Sequence, residues 1–133
     1  MKIPRILEQN REEIVKIFEE IKTKLNNHYI LVIEGKKDKK KLQMIGINRN
    51  IVEIGQKSLV NFIEILPEVN GFIILTDFDR KGETMAKRLN ELLRVKNVEI
   101  NLDYRNKLKL YFKKFCKDIE SVISLYLKLK LEG

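Results

Sequence analysis

Hydrophobic and polar positions alternate along the chain in a pattern that predicts strands separated by helices. Four apolar runs begin, at spacings of 21, 21 and 26 residues, at Ile30, Ile51, Phe72 and Val98. The stretches between the runs are helix candidates, at about 37–46, 58–66 and 82–95. In the last of them, Met85 and Leu89 lie four positions apart, which is the helical period. This alternation is typical of βαβ units and a parallel sheet.

The lengths of the apolar runs predict which strands lie in the middle of the sheet. "ILVI" and "FIIL" contain no polar residue, as expected for central strands covered on both faces. The second run is shorter and the fourth is more polar, which suits edge strands. The pattern therefore predicts a Rossmann-like α/β fold, with a four-stranded, mainly parallel sheet and helices on both faces.

Helical patterns flank this core on both sides. An amphipathic helix is predicted over about 5–25, and basic helices over 103–131. In the second pattern, Leu108, Phe112 and Phe115 belong to one apolar stripe that we expect to contact the core. At 133 residues, one domain is expected over 1–133. We divide it into an N-terminal helix (1–27), a core (28–101) and a basic helical tail (102–133).

The chain has a net charge of +8 and a pI of about 9.5. This charge is compatible with a polyanionic partner and equally with a solvated basic surface, so other evidence must decide between them. Cys116 is the only cysteine, so no intramolecular disulfide forms. No apolar run approaches the roughly 20 residues that span a bilayer, and the N-terminal segment lacks an apolar signal core. We therefore expect a cytoplasmic protein without a membrane partner.

Acidic residues follow the two central strands. "ILVIEGKKD" places Glu34 after the first, and "FIILTDFDRKGE" places Asp77 and Asp79 after the third. Ligands bind beyond the carboxyl ends of strands in open parallel sheets, so these acids are expected to converge if the two strands are neighbours. Clustered carboxylates repel one another, and Mg²⁺ with oxygen ligands relieves that repulsion.

Further residues around these acids complete the predicted site. Two more acids, Asp38 and Glu83, are accessory candidates. Basic residues that would hold phosphates are Lys36, Lys37, Arg80, Lys81, Lys113 and Lys114. Glycines expected at tight turns or close backbone approaches are Gly35, Gly55 and Gly82. Simpler interpretations stay open, because Asp79 could only cap the following helix and the lysines could form a solvated helix face.

The two motifs together resemble a Toprim domain, the catalytic module of DnaG-type primases, topoisomerases and the maturation nuclease for 5S ribosomal RNA. The resemblance covers roughly 28–101, and the short chain resembles the small stand-alone Toprim proteins of archaea and some bacteria. It implies that Glu34 acts as general acid or base. It also implies that Asp77 and Asp79, with Glu34, coordinate Mg²⁺, for which Mn²⁺ would substitute.

The sequence departs from the type IA topoisomerase pattern at one position. Lys81 stands where those enzymes have a third metal-binding acid, so a second ion would need Glu83 or Asp38. Topoisomerase activity is not expected, because no tyrosine here has the context of a nucleophile and the chain has no room for gate domains. Primase activity is not expected either, because the zinc-binding and large polymerase segments are missing.

Three functions are compatible with these residues. The first is a Mg²⁺-dependent nuclease in RNA processing, with RNA favoured over DNA as substrate. The second is a non-catalytic module that binds RNA or DNA within a larger protein complex. The third is a haloacid-dehalogenase-like phosphatase with Asp77 as nucleophile, which is disfavoured because that family carries its acidic pair on the first core strand.

Overall fold

The four predicted strands form one sheet in which every pairing is parallel. The computed structural model describes residues 2–132, and its strands are β1 (Tyr29–Ile33), β2 (Ile51–Glu53), β3 (Gly71–Ile74) and β4 (Glu99–Asn101). Their order is β2-β1-β3-β4, so the two apolar runs lie in the centre and the shorter strands lie at the edges. This confirms the predicted α/β sheet and the neighbouring positions of β1 and β3.

Helices connect and flank the strands. Within residues 2–132 they are α1 (Arg5–Gln9), α2 (Arg11–Asn26), α3 (Lys36–Met44), α4 (Leu59–Glu64), α5 (Arg80–Leu92), α6 (Asp103–Phe112) and α7 (Ile119–Glu132), with a 3₁₀ turn at Leu93–Lys96. The prediction of one continuous N-terminal helix over 5–25 is wrong, because the chain breaks at Asn10. The Asn10 side-chain amide donates to the Ile6 carbonyl at 2.8 Å, beside the Asn10 N–H at 3.2 Å, and such a side-chain bond four residues back often bends a helix.

Two hydrophobic clusters cover the two faces of the sheet. One contains buried side chains of α1, α2, α3, α6 and α7, and the other those of α4 and α5. The basic C-terminal helices therefore pack into the core. Tyr126 of α7 stacks on Phe18 of α2 with ring centroids 4.1 Å apart, and Phe112 of α6 is fully buried. No helix among residues 2–132 combines the length and the apolar character needed to cross a bilayer.

Side-chain caps fix the beginnings of three helices. Ser58 accepts the Asn61 N–H at 3.2 Å at the start of α4, as its position in the sequence predicts. Asp79 caps α5 and Asp118 caps α7. The last two caps lie at the carboxyl edge of the sheet, where the acidic residues of the predicted site are found.

Candidate acidic site at the carboxyl edge of the sheet

Glu34 and Asp77 meet at the carboxyl edge of the two central strands. Glu34 follows β1 directly, and Asp77 follows the end of β3 by three residues. The Asp77 backbone N–H donates to Glu34 Oε2 at 2.7 Å. The predicted convergence of these two acids is therefore present in the structure.

Five acids at this edge share one mode of anchoring, in which a single carboxylate oxygen accepts a backbone N–H. Besides Glu34, the anchored carboxylates are Asp38 (from Gly35, 3.2 Å), Asp77 (from Ile119, 2.9 Å), Asp79 (from Gly82, 2.7 Å) and Asp118 (from Ser121, 2.8 Å). Within residues 2–132 the other oxygen of each accepts no hydrogen bond. The backbone thus orients these side chains and leaves an oxygen of each for a ligand.

A cavity of about 540 Å³ opens at this edge. Its acidic lining consists of Glu34, Asp38, Glu53, Asp77, Asp118 and Glu120. Its basic lining consists of Lys36, Lys37 and Lys81. We call this space the acidic cavity. It combines carboxylates that suit a divalent cation with lysines that suit phosphate.

Three of these acids, Glu53, Asp118 and Glu120, escaped the sequence analysis as site residues. Glu53 is the last residue of β2, so the rule that places ligands at strand ends could have found it. Asp118 and Glu120 belong to the beginning of α7 and follow no strand, so the rule that places ligands at strand ends does not reach them. The position of Asp118 directly before an apolar helical pattern indicates only a helix cap, which it is. Its place in the cavity depends on how α7 packs beside α3, which no local pattern records.

Burial and the charges of neighbouring acids raise the pKa values of two of the acids. Burial raises the pKa of Asp77 to about 7, and the charges of Glu34, Asp38 and Asp79 raise it further against the opposing Ile119 N–H. Burial also raises the pKa of Asp38 to about 6, with the Gly35 N–H opposing it and Glu34 adding to it. Within residues 2–132, Glu34, Asp38 and Asp77 form no ion pair within 4.0 Å. A bound divalent cation would supply the missing positive charge.

The side chain of Asp79 does not join those of Glu34 and Asp77 at the acidic cavity. Its side chain caps α5 and does not line the acidic cavity, although its charge reaches Asp77. Within residues 2–132 no three His, Cys, Asp or Glu side chains are close enough to hold a metal ion by themselves. The expected three-carboxylate arrangement of Glu34, Asp77 and Asp79 is therefore not formed, whereas the Glu34–Asp77 pair is. A pair fits Mg²⁺, which commonly takes one or two carboxylates and keeps several waters.

Glu83, the other accessory candidate, faces away from the cavity. Its Oε1 lies 2.6 Å from Lys109 Nζ and 3.2 Å from Arg105 Nη2, both on α6. The expectation that Glu83 replaces the missing third acid is not supported by this placement. Asp38, by contrast, lines the cavity and is 7% exposed.

The predicted phosphate-binding residues are divided between two places. Lys36, Lys37 and Lys81 line the acidic cavity, whereas Arg80 is exposed outside its lining. Lys113 and Lys114 are exposed in the connection between α6 and α7. That connection lies against residues 77–79, which we call the acidic segment, because the Phe78 N–H donates to the Lys117 carbonyl at 2.6 Å.

Two of the three predicted glycines meet a steric or conformational demand. A Cβ at Gly82 would lie 1.9 Å from the Asp77 carbonyl oxygen, so α5 approaches the acidic segment too closely for any side chain. Gly55 has φ of +61°, in the left-handed region. The expectation for Gly35 is wrong, because its backbone is extended and a Cβ there would meet nothing within 4 Å.

Arg105 is a residue whose importance the sequence did not reveal. It is 1% exposed, and its Nε donates to the Thr76 carbonyl at 2.9 Å. Its Nη2 donates to the next carbonyl, that of Asp77, and pairs with Glu83. One guanidinium from α6 therefore holds two consecutive carbonyls of the segment that carries Asp77.

The fold and the paired acids define a Toprim domain. The Toprim domain model matches residues 29–117, and the chain belongs to this family. Toprim domains are found in nucleic-acid-processing enzymes such as primases and nucleases, and typically bind a divalent metal such as Mg²⁺. Because the Toprim model matches these residues, the interpretation as a haloacid-dehalogenase-like phosphatase is dropped.

Within the Toprim family, the chain is similar to the UPF0292 proteins of archaea. It is 33% identical to the UPF0292 protein of Methanosarcina barkeri over 128 residues, which is 96% of this chain and 90% of that protein. It is 34% identical to that of Pyrococcus abyssi over 120 residues, 90% and 91% of the two chains. A solved structure of a protein from Aquifex aeolicus matches with a TM-score of 0.68 at 27% identity, covering 80% of this chain and 95% of that one.

The raised pKa of Asp77 predicts a pH dependence of stability. Its pKa, near 4 in an unfolded chain and about 7 here, means that the folded state holds the proton more tightly. This contribution to stability is complete below about pH 4 and is lost as pH rises to about 7.

In metal-free buffer, the unfolding free energy of Asp77→Asn relative to the unsubstituted protein should therefore rise between pH 5 and pH 8, as measured by urea titration. Exposed Glu91→Gln is the control, and a pH-independent difference for Asp77→Asn would contradict the prediction.

Proposed function

We propose that this Toprim protein is a Mg²⁺-dependent nuclease that acts on RNA in RNA processing. The observation that carries the proposal is the contact between the Asp77 N–H and Glu34 at the edge of a cavity that lysines also line. Acids that attract a cation and bases that attract phosphate occupy the same space there, as phosphoryl-transfer chemistry requires. RNA is proposed ahead of DNA because the chain resembles the small Toprim nuclease that matures 5S ribosomal RNA.

The residues present fit a single divalent cation. Asp77 would hold it through the oxygen that the backbone leaves free, and the charge of Glu34 would help to attract it, with Asp38 lining the same cavity. Bound Mg²⁺ would supply charge stabilisation at the reacting phosphate. The carboxylates also have an electrostatic reason to take it up, because burial and then the charges of the neighbouring carboxylates raise the pKa of Asp77.

Glu34 is suited to a second task, the movement of a proton. The Asp77 N–H fixes one of its oxygens at 2.7 Å, so the orientation of the carboxylate is set. Its other oxygen can accept a proton from an attacking water or return one to the leaving oxygen. Lys36, Lys37 and Lys81 would hold the phosphates on either side of the reacting one.

Cleavage of labelled structured RNA tests the proposal. With Mg²⁺ or Mn²⁺ present, Glu34→Gln and Asp77→Asn should each lower the cleavage rate by about 100-fold or more, the range associated with loss of a general acid–base group or an essential charge. Glu91→Gln, an exposed substitution on α5, should cleave like the unsubstituted protein. Cleavage that persists unchanged in both site variants would reject the proposal, and a parallel DNA substrate decides between the two nucleic acids.

A second candidate, a module that binds nucleic acid without cutting it, rests on two observations. Lys81 lines the cavity at the position where the related topoisomerase pattern has an acid, and Asp79 is used as a helix cap. Filter binding over a salt series distinguishes the candidates. Strong, salt-sensitive binding without cleavage under any divalent metal supports the binding module, because phosphate contacts by lysine release counterions.

A further inference from the structure

The connection between α6 and α7 exposes an aromatic ring among lysines. Residues 113–117 read Lys-Lys-Phe-Cys-Lys, and Phe115 is 41% exposed. Its expected place in the apolar core stripe is wrong, because Leu108 and Phe112 of that stripe are fully buried and Phe115 is not. The helix α6 ends at Phe112, so Phe115 no longer follows the helical period that would turn it inward.

Phe115 lines a second cavity of about 500 Å³, which we call the aromatic cavity. Cys116 and Leu125 add apolar surface to it, and Asp118 and Glu120 border it. The same two acids border the acidic cavity. The two cavities therefore adjoin at Asp118 and Glu120, so the apolar part and the phosphate of one ligand could lie on either side of these acids.

Backbone hydrogen bonds connect the segment that follows Phe115 to the segment that carries Asp77. The Lys117 carbonyl accepts the Phe78 N–H at 2.6 Å, and Asp77 Oδ1 accepts the Ile119 N–H at 2.9 Å. These bonds attach the backbone two and four residues after Phe115 to the segment that carries Asp77. The aromatic ring therefore lies on a connection that is bonded to the acidic site.

We propose that the aromatic cavity binds an unpaired nucleobase stacked on Phe115, from the strand whose phosphate lies in the acidic cavity. This inference rests on the proposed function and specifies its substrate as nucleic acid that is single-stranded at the site. Exposed Lys113, Lys114 and Lys117 would follow the backbone of that strand. Base stacking on an aromatic ring between basic residues is the usual mode of single-strand binding.

The lining of the aromatic cavity, in which two acids outnumber the single lysine Lys128, favours a base over a phosphate inside it. Asp118 and Glu120 repel a phosphate but accept hydrogen bonds from exocyclic amino groups or a ribose hydroxyl. A base inside a continuous duplex is stacked on its neighbours and does not offer its face to Phe115. The substrate is therefore expected to be unpaired where it is bound, as in a loop, bulge or end.

A tryptophan reporter tests the stacking directly. The chain contains no tryptophan, so Phe115→Trp places the only indole at the proposed site. Val95→Trp is the matched control, because Val95 is 79% exposed and lies beside Val98 and Phe72 at the amino edge of the sheet. In buffer with EDTA, a 12-nucleotide single-stranded RNA should quench the Phe115→Trp emission. It should leave Val95→Trp unchanged, and a blunt duplex of the same sequence should quench neither.

Affinity measured by filter binding supplies the second readout. Phe115→Ala and Phe115→Leu should each weaken single-strand binding by about 5- to 100-fold while duplex binding is unchanged. Unchanged emission of Phe115→Trp at saturating RNA would overturn the inference, as would full affinity of Phe115→Leu. An emission shift that follows protein concentration and not RNA would also overturn it, because a second copy would then cover the ring.

The same data separate this inference from the proposed function. Quenching without cleavage supports the nucleobase site and rejects the nuclease. Cleavage of single strands without quenching rejects only the nucleobase site. Absence of any RNA or DNA binding by the unsubstituted protein rejects both.

Discussion

Replacement of Arg105 by methionine is expected to lower the free energy of unfolding by about 3 kcal/mol or more. The guanidinium is 1% exposed and satisfies the carbonyls of Thr76 and Asp77. Removal leaves the buried Thr76 carbonyl and the partly buried Asp77 carbonyl without their donor, at a cost of about 1–3 kcal/mol for each fully buried unsatisfied group. Methionine fills much of the volume, so the loss is chiefly one of hydrogen bonds and charge.

The same substitution should also disturb the acidic site. The Thr76 carbonyl and the Asp77 N–H belong to one planar peptide unit, which Arg105 holds on one side and Glu34 on the other. In the next peptide unit, Arg105 holds the Asp77 carbonyl while the Phe78 N–H donates to Lys117. Loss of the guanidinium frees both units, so the orientation of Glu34 is expected to loosen with them.

Urea unfolding of Arg105→Met beside Lys109→Met is the measurement. Lys109 lies on the same helix and pairs with the same Glu83, but it is 36% exposed and donates to neither carbonyl. An exposed ion pair contributes about 1 kcal/mol or less, so Lys109→Met should be mild. Arg105→Lys should fall between them, because one ammonium replaces a planar group with several donors. Equal stability of Arg105→Met and Lys109→Met would contradict the role assigned to Arg105.

The sheet and the Glu34–Asp77 pair could be predicted because both depend on short-range signals. Unbroken apolar runs mark central strands, and β1 and β3 occupy the centre of the sheet. Once these strands are neighbours, the acids that follow them must approach each other at one edge. The sequence also signals the caps at Ser58, Asp79 and Asp118, because a cap requires only a polar side chain three residues before its N–H.

Residues that reach the site from α6 and α7 could not be predicted. Arg105 lies 28 positions after Asp77 in the chain, and the local sequence does not distinguish it from the other basic residues of α6. Only the packing of α6 against α1 and α2 turns it inward. Asp118 and Glu120 line the cavity for a similar reason, because α7 packs against α3.

Periodicity also misassigned residues near the ends of helices. Phe115 fits the apolar spacing of α6, but that helix ends three residues earlier and the ring is exposed. Asn10 fits the polar face of one long N-terminal helix, but its side chain bonds the Ile6 carbonyl where the helix breaks. Such ends depend on local competition for backbone groups, which hydrophobic spacing does not report.

Loss of either central acid is expected to weaken divalent cation binding by at least about 10-fold. Asp77 and Glu34 each keep one oxygen free of backbone bonds, and Asp77→Asn or Glu34→Gln removes the charge that attracts the ion. Loss of groups that merely support a ligand already costs about 10- to 100-fold in metal affinity. Glu83→Gln should have little effect, because Glu83 faces Arg105 and Lys109 on α6.

Calorimetric titration of Mg²⁺ and Mn²⁺ at pH 8 into these three variants, with Glu91→Gln as the surface control, tests the cation site most directly. The expected result is one ion bound per chain in the unsubstituted protein, Glu83→Gln and Glu91→Gln, with affinity lost or sharply reduced in Asp77→Asn and Glu34→Gln. Unchanged affinity in Asp77→Asn and Glu34→Gln would contradict the assignment of the acidic cavity as the metal site.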